Sequence, residues 1–310
     1  MPHISLPVGM EEFQEIREKK CYFVDKTQLI EELLKDRFKV MLFTRPRRFG
    51  KTLAMSMLAA FFDIRMDSAG LFDGLAVSKN EKLCERWMNQ YPVLFVTLKN
   101  IGGRDFGAAS ETLKDAVSDL CIAHSYLQDS SRISEKDRKT FGRLMNCEGS
   151  DTEVRGALYT LLRMMSMHYG KPAILLLDEY DAPLAGANEN GYYDEMFDHI
   201  RGFIGKVLKT NEYLNFAVVT GCLRVAKESI FTGTNNFVSN SISRAEYSDC
   251  FGFTQAEVER LLAEAGFSDE MSGGRQWYDG YRFGETEIYC PWDVVNHVRA
   301  LQNGKRFWRT

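Results

Sequence analysis

The chain has 310 residues, 45% hydrophobic and 26% charged, with 43 acidic against 39 basic side chains and a net charge of −4. This is an ordinary globular composition, long enough for one large α/β domain and a smaller appended one. It excludes a protein that coats nucleic acid by charge alone; the first residues are not expected to act as a leader peptide, and no apolar run of about 18 residues occurs.

Near the N-terminus, Tyr22-Phe23-Val24-Asp25-Lys26-Thr27 precedes the first strand by about one helix. It reads equally as a wall near a nucleotide base or as a plain turn capped by Asp25 or Thr27. Residues 39–44 (KVMLFT) have the length and aliphatic content of a buried parallel strand, and 52–62 carry apolar residues at helical spacing.

Between them lies Thr44-Arg45-Pro46-Arg47-Arg48-Phe49-Gly50-Lys51-Thr52. A loop that ends a strand and opens a helix suits phosphate, because the helix N-terminus offers free N–H groups and the positive end of its dipole. Lys51 adds a charge at the β/γ-phosphates, and the Thr52 hydroxyl is a Mg²⁺ ligand. The position usually held by the first glycine of such loops is Arg45, and Pro46 pushes Arg45 toward extended backbone. The loop is therefore expected to open differently, with Arg45, Pro46, Arg47, Arg48, Phe49, Gly50, Lys51 and Thr52 around the phosphates. The arginines fit nucleotide phosphates or an acidic partner better than direct nucleic-acid contact.

A second strand is expected at 93–98 (VLFVTL). The stretch from Asp105 to Cys147 exceeds a simple crossover, which predicts a helical insertion at about 101–150. After a helical pattern at 153–167, the strand at 173–178 (AILLLD) ends in Asp178 and Glu179. A buried parallel strand delivers its last carboxylate to the ligand crevice, so Asp178 is expected on the Mg²⁺ and Glu179 on the attacking water. Asp181 is either a further acidic contributor or a cap. A helix at 192–208 leads to a strand at 215–220, followed by Gly221-Cys222-Leu223-Arg224. Thr220 is the candidate γ-phosphate sensor. Arg224 is either a cation acting in cis on the transferred phosphate or one partner of a structural salt bridge.

Strands alternating with helices predict a three-layer parallel α/β sheet over residues 1–250. From 251 to 310 a small, mainly helical, lid-like subdomain is expected. Thr254 and Glu257 have capping-box spacing, and their helix should run to Ala265 and stop at Gly266. Trp277, Tyr278, Tyr281 and Phe283 cluster around Gly280 as a packed aromatic turn. The seven cysteines are scattered and form no C-x-x-C pair, as expected of reduced thiols in the cytoplasm. The histidines have no zinc-ligand spacing.

Taken in order, Val8-Gly9 through Phe13, Tyr22 to Thr27, Arg45 to Thr52, DEYDAPL from Asp178, TGCLR from Thr220 and WYDGYRF from Trp277 resemble the bacterial AAA-ATPase-like family. That family is related to STAND-type P-loop ATPases, and arginine is usual there at the position of Arg45. The resemblance covers nearly the whole chain. It implies a P-loop NTPase sheet of additional-strand type, with another strand between the phosphate-loop and acidic strands. It also implies ATP and Mg²⁺, and a restriction-endonuclease-like nuclease domain that usually follows, here beyond Thr310. No P-D…(D/E)-x-K pattern occurs within the chain, so nuclease chemistry is not expected of these residues.

Two functions fit. One is an ATP-hydrolysing switch that rearranges the C-terminal subdomain and controls an attached or recruited effector, such as a nuclease. The other is a nucleotide-binding scaffold with little hydrolysis that oligomerises or recognises a partner. Nucleic acid as a partner stays open. A small-molecule kinase is disfavoured, because the Asp178-Glu179 pair suits activation of water.

Overall fold

The structure is a computed structural model that describes residues 4–209, 211–222, 231, 237–270 and 281–305. Its centre is a five-stranded, all-parallel sheet of β1 (Val40–Thr44), β2 (Val93–Thr97), β3 (Ala173–Asp178), β4 (Leu214–Gly221) and β5 (Phe237–Asn240). The spatial order is β2-β3-β4-β1-β5, so β4 separates β1 from β3.

The helices before β3 are α1 (Phe13–Glu18), α2 (Gln28–Asp36), α3 (Lys51–Phe62), α4 (Glu81–Trp87), α5 (Phe106–Ala123), α6 (Glu135–Met145), α7 (Asp151–Arg155) and α8 (Ala157–Tyr169). After it come α9 (Ala182–Asn190), α10 (Tyr193–Leu208), α11 (Gln255–Glu264) and α12 (Pro291–Gln302). None of the described helices is long and apolar enough to cross a membrane.

Side-chain alternation along each strand splits the apolar residues between two cores. Val40 and Leu42 of β1, Leu175 and Leu177 of β3, and Ala217 and Val219 of β4 pack with α5, α6, α8 and α10. Met41, Phe43, Ile174, Leu176, Phe216 and Val218 point to the other face, against α2, α3 and Phe13 of α1. Helices cover both faces, which gives three layers. Every residue of β1 and β3 is buried, so these strands read as unbroken apolar runs. Each such Leu, Ile or Phe contributes about 1.5–3 kcal/mol by leaving water.

Residues 101–150 hold α5 and α6, joined through a short 3-10 turn at Ser125–Leu127. The single helix anticipated at 153–167 is two. A capping box of Ser150 and Glu153 starts α7, and α8 begins after Gly156. The edge strand β5 was not anticipated, because it is only four residues long and half-exposed at Phe237 and Val238.

Among the described residues, the C-terminal region adds a small antiparallel sheet to helices α11 and α12. β6 (Phe253–Thr254), β7 (Arg282–Phe283) and β8 (Thr286–Tyr289) are ordered β6-β8-β7. The capping box at α11 forms as the spacing predicts: Glu257 N–H donates to Thr254 Oγ1 at 3.4 Å, and Thr254 N–H to Glu257 Oε2 at 2.7 Å. The cap residue Ala265 ends the helix, and Gly266 follows at φ 82°. Val258, Leu261, Leu262, Val294 and Val298 form a third apolar cluster, on which Ile4, Leu6 and Tyr22 also pack. The N-terminal segment therefore lies against the C-terminal helices.

Candidate functional site

The site is built where β1, β3 and β4 end. After β1 the loop turns into α3 through Gly50, at φ 78° and ψ 20°. This left-handed geometry is tolerated by glycine and strained for other residues. Arg48 adopts φ 70° in the same loop.

Lys51 opens α3 with only 3% of its surface exposed. Its Nζ lies 3.2 Å from Glu179 Oε1, donates to the Pro46 carbonyl at 3.1 Å and sits 3.2 Å from Cys222 Sγ. Thr52 Oγ1 donates to Asp178 Oδ2 at 2.8 Å, while Thr220 Oγ1 donates to Asp178 Oδ1. Asp178 is fully buried. Burial pushes its carboxyl above the ordinary range, and the hydroxyls of Thr220 and Thr52 pull the other way. Glu179 adopts φ 54°, a left-handed backbone at a non-glycine residue. Such strain persists where the surroundings over-determine it, and it concentrates at functional sites.

Asp181 meets the cluster through the main chain of Cys222. Both its carboxylate oxygens accept from the Cys222 N–H at 3.1 Å, which ties the turn after β3 to the end of β4. Tyr180 N–H donates to the Thr220 carbonyl at 3.0 Å. Gly221 fits the gap they leave: a Cβ there would lie 2.5 Å from Asp181 Oδ1 and 2.6 Å from the Tyr180 ring.

The first half of the loop points elsewhere. Arg45 is fully buried. Its guanidinium donates to the carbonyls of Thr44 (3.1 Å), Asn240 (2.8 Å) and Tyr247 (3.1 Å). It also lies over the rings of Phe283 at 4.9 Å and Phe251 at 5.4 Å. Burial lowers its pKa to about 10. The expectation that Arg45 faces phosphate therefore meets a different arrangement, in which three carbonyls and two rings surround the cation. Phe49 packs on Tyr281 at 4.8 Å and Phe283 at 5.3 Å, and Arg48 lies over Trp292 at 5.0 Å. The Phe49 carbonyl accepts from Gly252 N–H at 3.2 Å. Arg45, Arg48 and Phe49 thus contact the C-terminal region, and Tyr281 and Phe283 of the aromatic turn pack on Phe49. Trp277, Tyr278 and Arg224 lie outside the described residues.

A cleft of about 550 Å³ opens beside this cluster. Arg47 to Thr52 line it, but Arg45 and Pro46 do not. Val8, Met10, Tyr22, Phe23 and Val24 supply an apolar wall from the N-terminal segment, and Phe253, Pro291 and Trp292 supply another from the C-terminal region. Residues 22–27 divide between the cleft and the turn before α2, and Thr27, at the N-cap of that helix, makes no side-chain cap hydrogen bond. Tyr22 to Val24 form cleft wall, while Asp25 builds the turn by accepting from Thr27 N–H at 2.9 Å and from Ala76 N–H at 2.6 Å. Lys99, just past β2, also lines the cleft and pairs with Glu11 at 2.9 Å.

Sequence reasoning passed over Cys222, Lys99 and the wall residues Val8 and Met10. The strand-end rule that exposed Asp178, applied to β2 and β4, points to Lys99 and Cys222. Val8 and Met10 fall within the run from Val8 to Phe13 that counts toward the family resemblance, which gives them no place in a site.

Thr52 and Asp178 offer hard oxygen donors within 2.8 Å of each other, which is the chemistry Mg²⁺ selects. These oxygens, Lys51 at the N-terminus of α3 and the Glu179 carboxylate beside it form an arrangement suited to holding a polyphosphate.

The family model described as "Predicted AAA-ATPase" (AAA-ATPase-like) matches residues 7–231. Lys51, Thr52, Asp178, Glu179, Thr220 and Cys222 all fall inside this span. Among curated proteins, the chain is 27% identical over 297 residues to an uncharacterized protein in the vnfD 5' region of Azotobacter chroococcum mcd 1. The alignment covers 95% of this chain and 52% of that protein. The chain thus spans about half the length of its relative.

Proposed function

The chain belongs to the AAA-ATPase-like family, and on that premise we propose that it binds ATP with Mg²⁺ in the cleft and hydrolyses it to switch the C-terminal region. One observation carries the reading. At the ends of β1 and β3, Lys51 and Thr52 of the helix-opening loop engage Glu179 and Asp178 side by side.

In this reading the N–H groups at the start of α3 and the Lys51 ammonium hold the β/γ-phosphates. Thr52 and Asp178 would hold Mg²⁺, which when bound neutralises charge on the phosphate oxygens. Thr220 acts through Asp178, whose Oδ1 it bonds. The terminal phosphate competes for the Lys51 ammonium, and Glu179 is released to orient and deprotonate water. The switch reading is supported by the loop itself, because Arg45, Arg48 and Phe49 contact Phe251, Trp292, Tyr281 and Phe283. A shift of the loop on nucleotide binding moves the surfaces that seat the C-terminal region. The effector so controlled, a nuclease by resemblance alone, is part of the same proposal.

Purified protein should hydrolyse ATP in a Mg²⁺-dependent way. Glu179→Gln should keep ATP affinity in calorimetry and lose turnover about a hundredfold or more, as loss of a general base does. A scaffold with little turnover is favoured by the Lys51–Glu179 ion pair, which engages the base; wild-type turnover no faster than that of Glu179→Gln would select it. For Arg224 we propose the role of cis cation, worth roughly 10³–10⁵ in rate. Arg224→Lys should retain ATP affinity and lose most hydrolysis, because lysine cannot fork across two phosphate oxygens. Unchanged single-turnover rates would remove Arg224 from the mechanism.

A further inference from the structure

Three residues end β4 beside the cluster, and they are not equivalent. The Thr220 hydroxyl is committed to Asp178 on a fully buried side chain. Gly221 has no side chain and fills a gap closed by Tyr180 and Asp181. Cys222 is half-buried, and its Sγ lies 3.2 Å from Lys51 Nζ and 3.7 Å from Glu179 Oε2. Among the described residues, its thiol is the one uncharged side-chain group contacting both members of the Lys51–Glu179 pair.

We propose that Cys222 reads the terminal phosphate of the bound nucleotide, as a positioning residue that steers Glu179 when Lys51 turns to the phosphate. The inference rests on the nucleotide-binding reading and deepens it. The thiol is held in place through its own main chain, since the Cys222 N–H is gripped by both oxygens of Asp181. A thiol is a weak donor and weak acceptor. In the structure it accepts from the Lys51 ammonium and donates to Glu179 Oε2, so the bond to the carboxylate is the one that remains when the ammonium leaves. Burial holds the thiol above its ordinary pKa, so it adds no charge that would compete with phosphate for Lys51. A hydroxyl can do the same work, whereas a branched hydrocarbon of similar size cannot.

Two measurements test this. Cys222→Ser should keep kcat within about threefold of wild type. Cys222→Val should lose about tenfold in kcat with an unchanged ATP Kd, the effect of one lost hydrogen bond to a charged group. A purely structural cysteine predicts the reverse pattern, with valine tolerated and affinity and kcat unmoved.

The second measurement needs no change at Cys222. In a Cys147→Ser background, which removes the exposed thiol, N-ethylmaleimide modification of Cys222 is followed by mass spectrometry. A non-hydrolysable ATP analogue with Mg²⁺ should slow modification at least about tenfold, while ADP with Mg²⁺ leaves the nucleotide-free rate nearly unchanged. Equal protection by ADP, no protection by an analogue that binds in calorimetry, or wild-type kcat in Cys222→Val each overturns the proposal and leaves nucleotide binding standing. Absence of any nucleotide binding to the wild-type protein overturns both.

Discussion

The two halves of one loop face different parts of the molecule. Gly50, Lys51 and Thr52 turn toward the carboxylates at the end of β3, where Lys51 meets Glu179 and Thr52 meets Asp178. Arg45 turns toward the carbonyls of Asn240 in β5 and Tyr247 after it, and Arg45, Arg48 and Phe49 together meet aromatic rings of the C-terminal region. The first half carries three arginines and the second a single lysine; of the two buried cations, Lys51 is partnered by a carboxylate and Arg45 by carbonyls and rings. Lys51 is a mobile point charge that a polyphosphate can recruit. Arg45 has a planar fork, and its three carbonyl acceptors and two stacked rings hold it in one orientation. Proximity to a phosphate-binding loop does not by itself assign a cation to phosphate. What surrounds the charge decides.

If that division is right, substitutions in the two halves should fail in different assays. The largest effect belongs to Lys51→Ala, which should weaken ATP about a thousandfold in calorimetry, within the range for truncating a buried charge partner. Equal affinity in the variant would break the assignment of the second half to phosphate.

Arg45→Ala should act chiefly on stability. It strands the buried carbonyls of Asn240 and Tyr247 and removes a cation from two rings, which should cost about 3 kcal/mol in urea unfolding. Lost ATP affinity at unchanged stability would move Arg45 into the first group and erase the comparison.

Trp292→Ala should have the smallest effect. The indole is part exposed, at 41%, and its cation–π contact with Arg48 is worth about 0.5–1 kcal/mol. Because Trp292 also lines the cleft, the variant sharpens the comparison by measuring how far the two halves communicate. A modest stability loss with a several-fold change in ATP affinity indicates coupling; stability loss alone indicates independent seats.

Strands β1 to β4 of the central sheet were legible because their signal is local. Residues 40–44 and 173–178 are buried on both faces, so their apolar character is unbroken in the sequence. The capping box at Thr254 and Glu257 spans four residues and needs no tertiary partner. Asp178 and Glu179 were legible for a related reason: a parallel strand that begins in a core must end at the crevice. By contrast, β5 is short and half-exposed, and β6 and β7 have two residues each. Such strands exist through pairing with distant segments, which no local pattern encodes.

By itself the sequence determined the alternation of strands and helices, the Gly50-Lys51-Thr52 turn into α3, and the two carboxylates that follow β3. These follow from periodicity, backbone preference and strand polarity, all of which act over a few residues. Only the tertiary structure decided where Arg45 points, because its acceptors Asn240 and Tyr247 lie 195 and 202 residues away along the chain. Tertiary structure also brought Cys222 to Lys51 across 171 residues, and laid the N-terminal segment along the cleft. The burial that makes these contacts strong is a property of the assembled layers. A short stretch of chain carries a side chain's charge and shape, but the folded surroundings choose its partner.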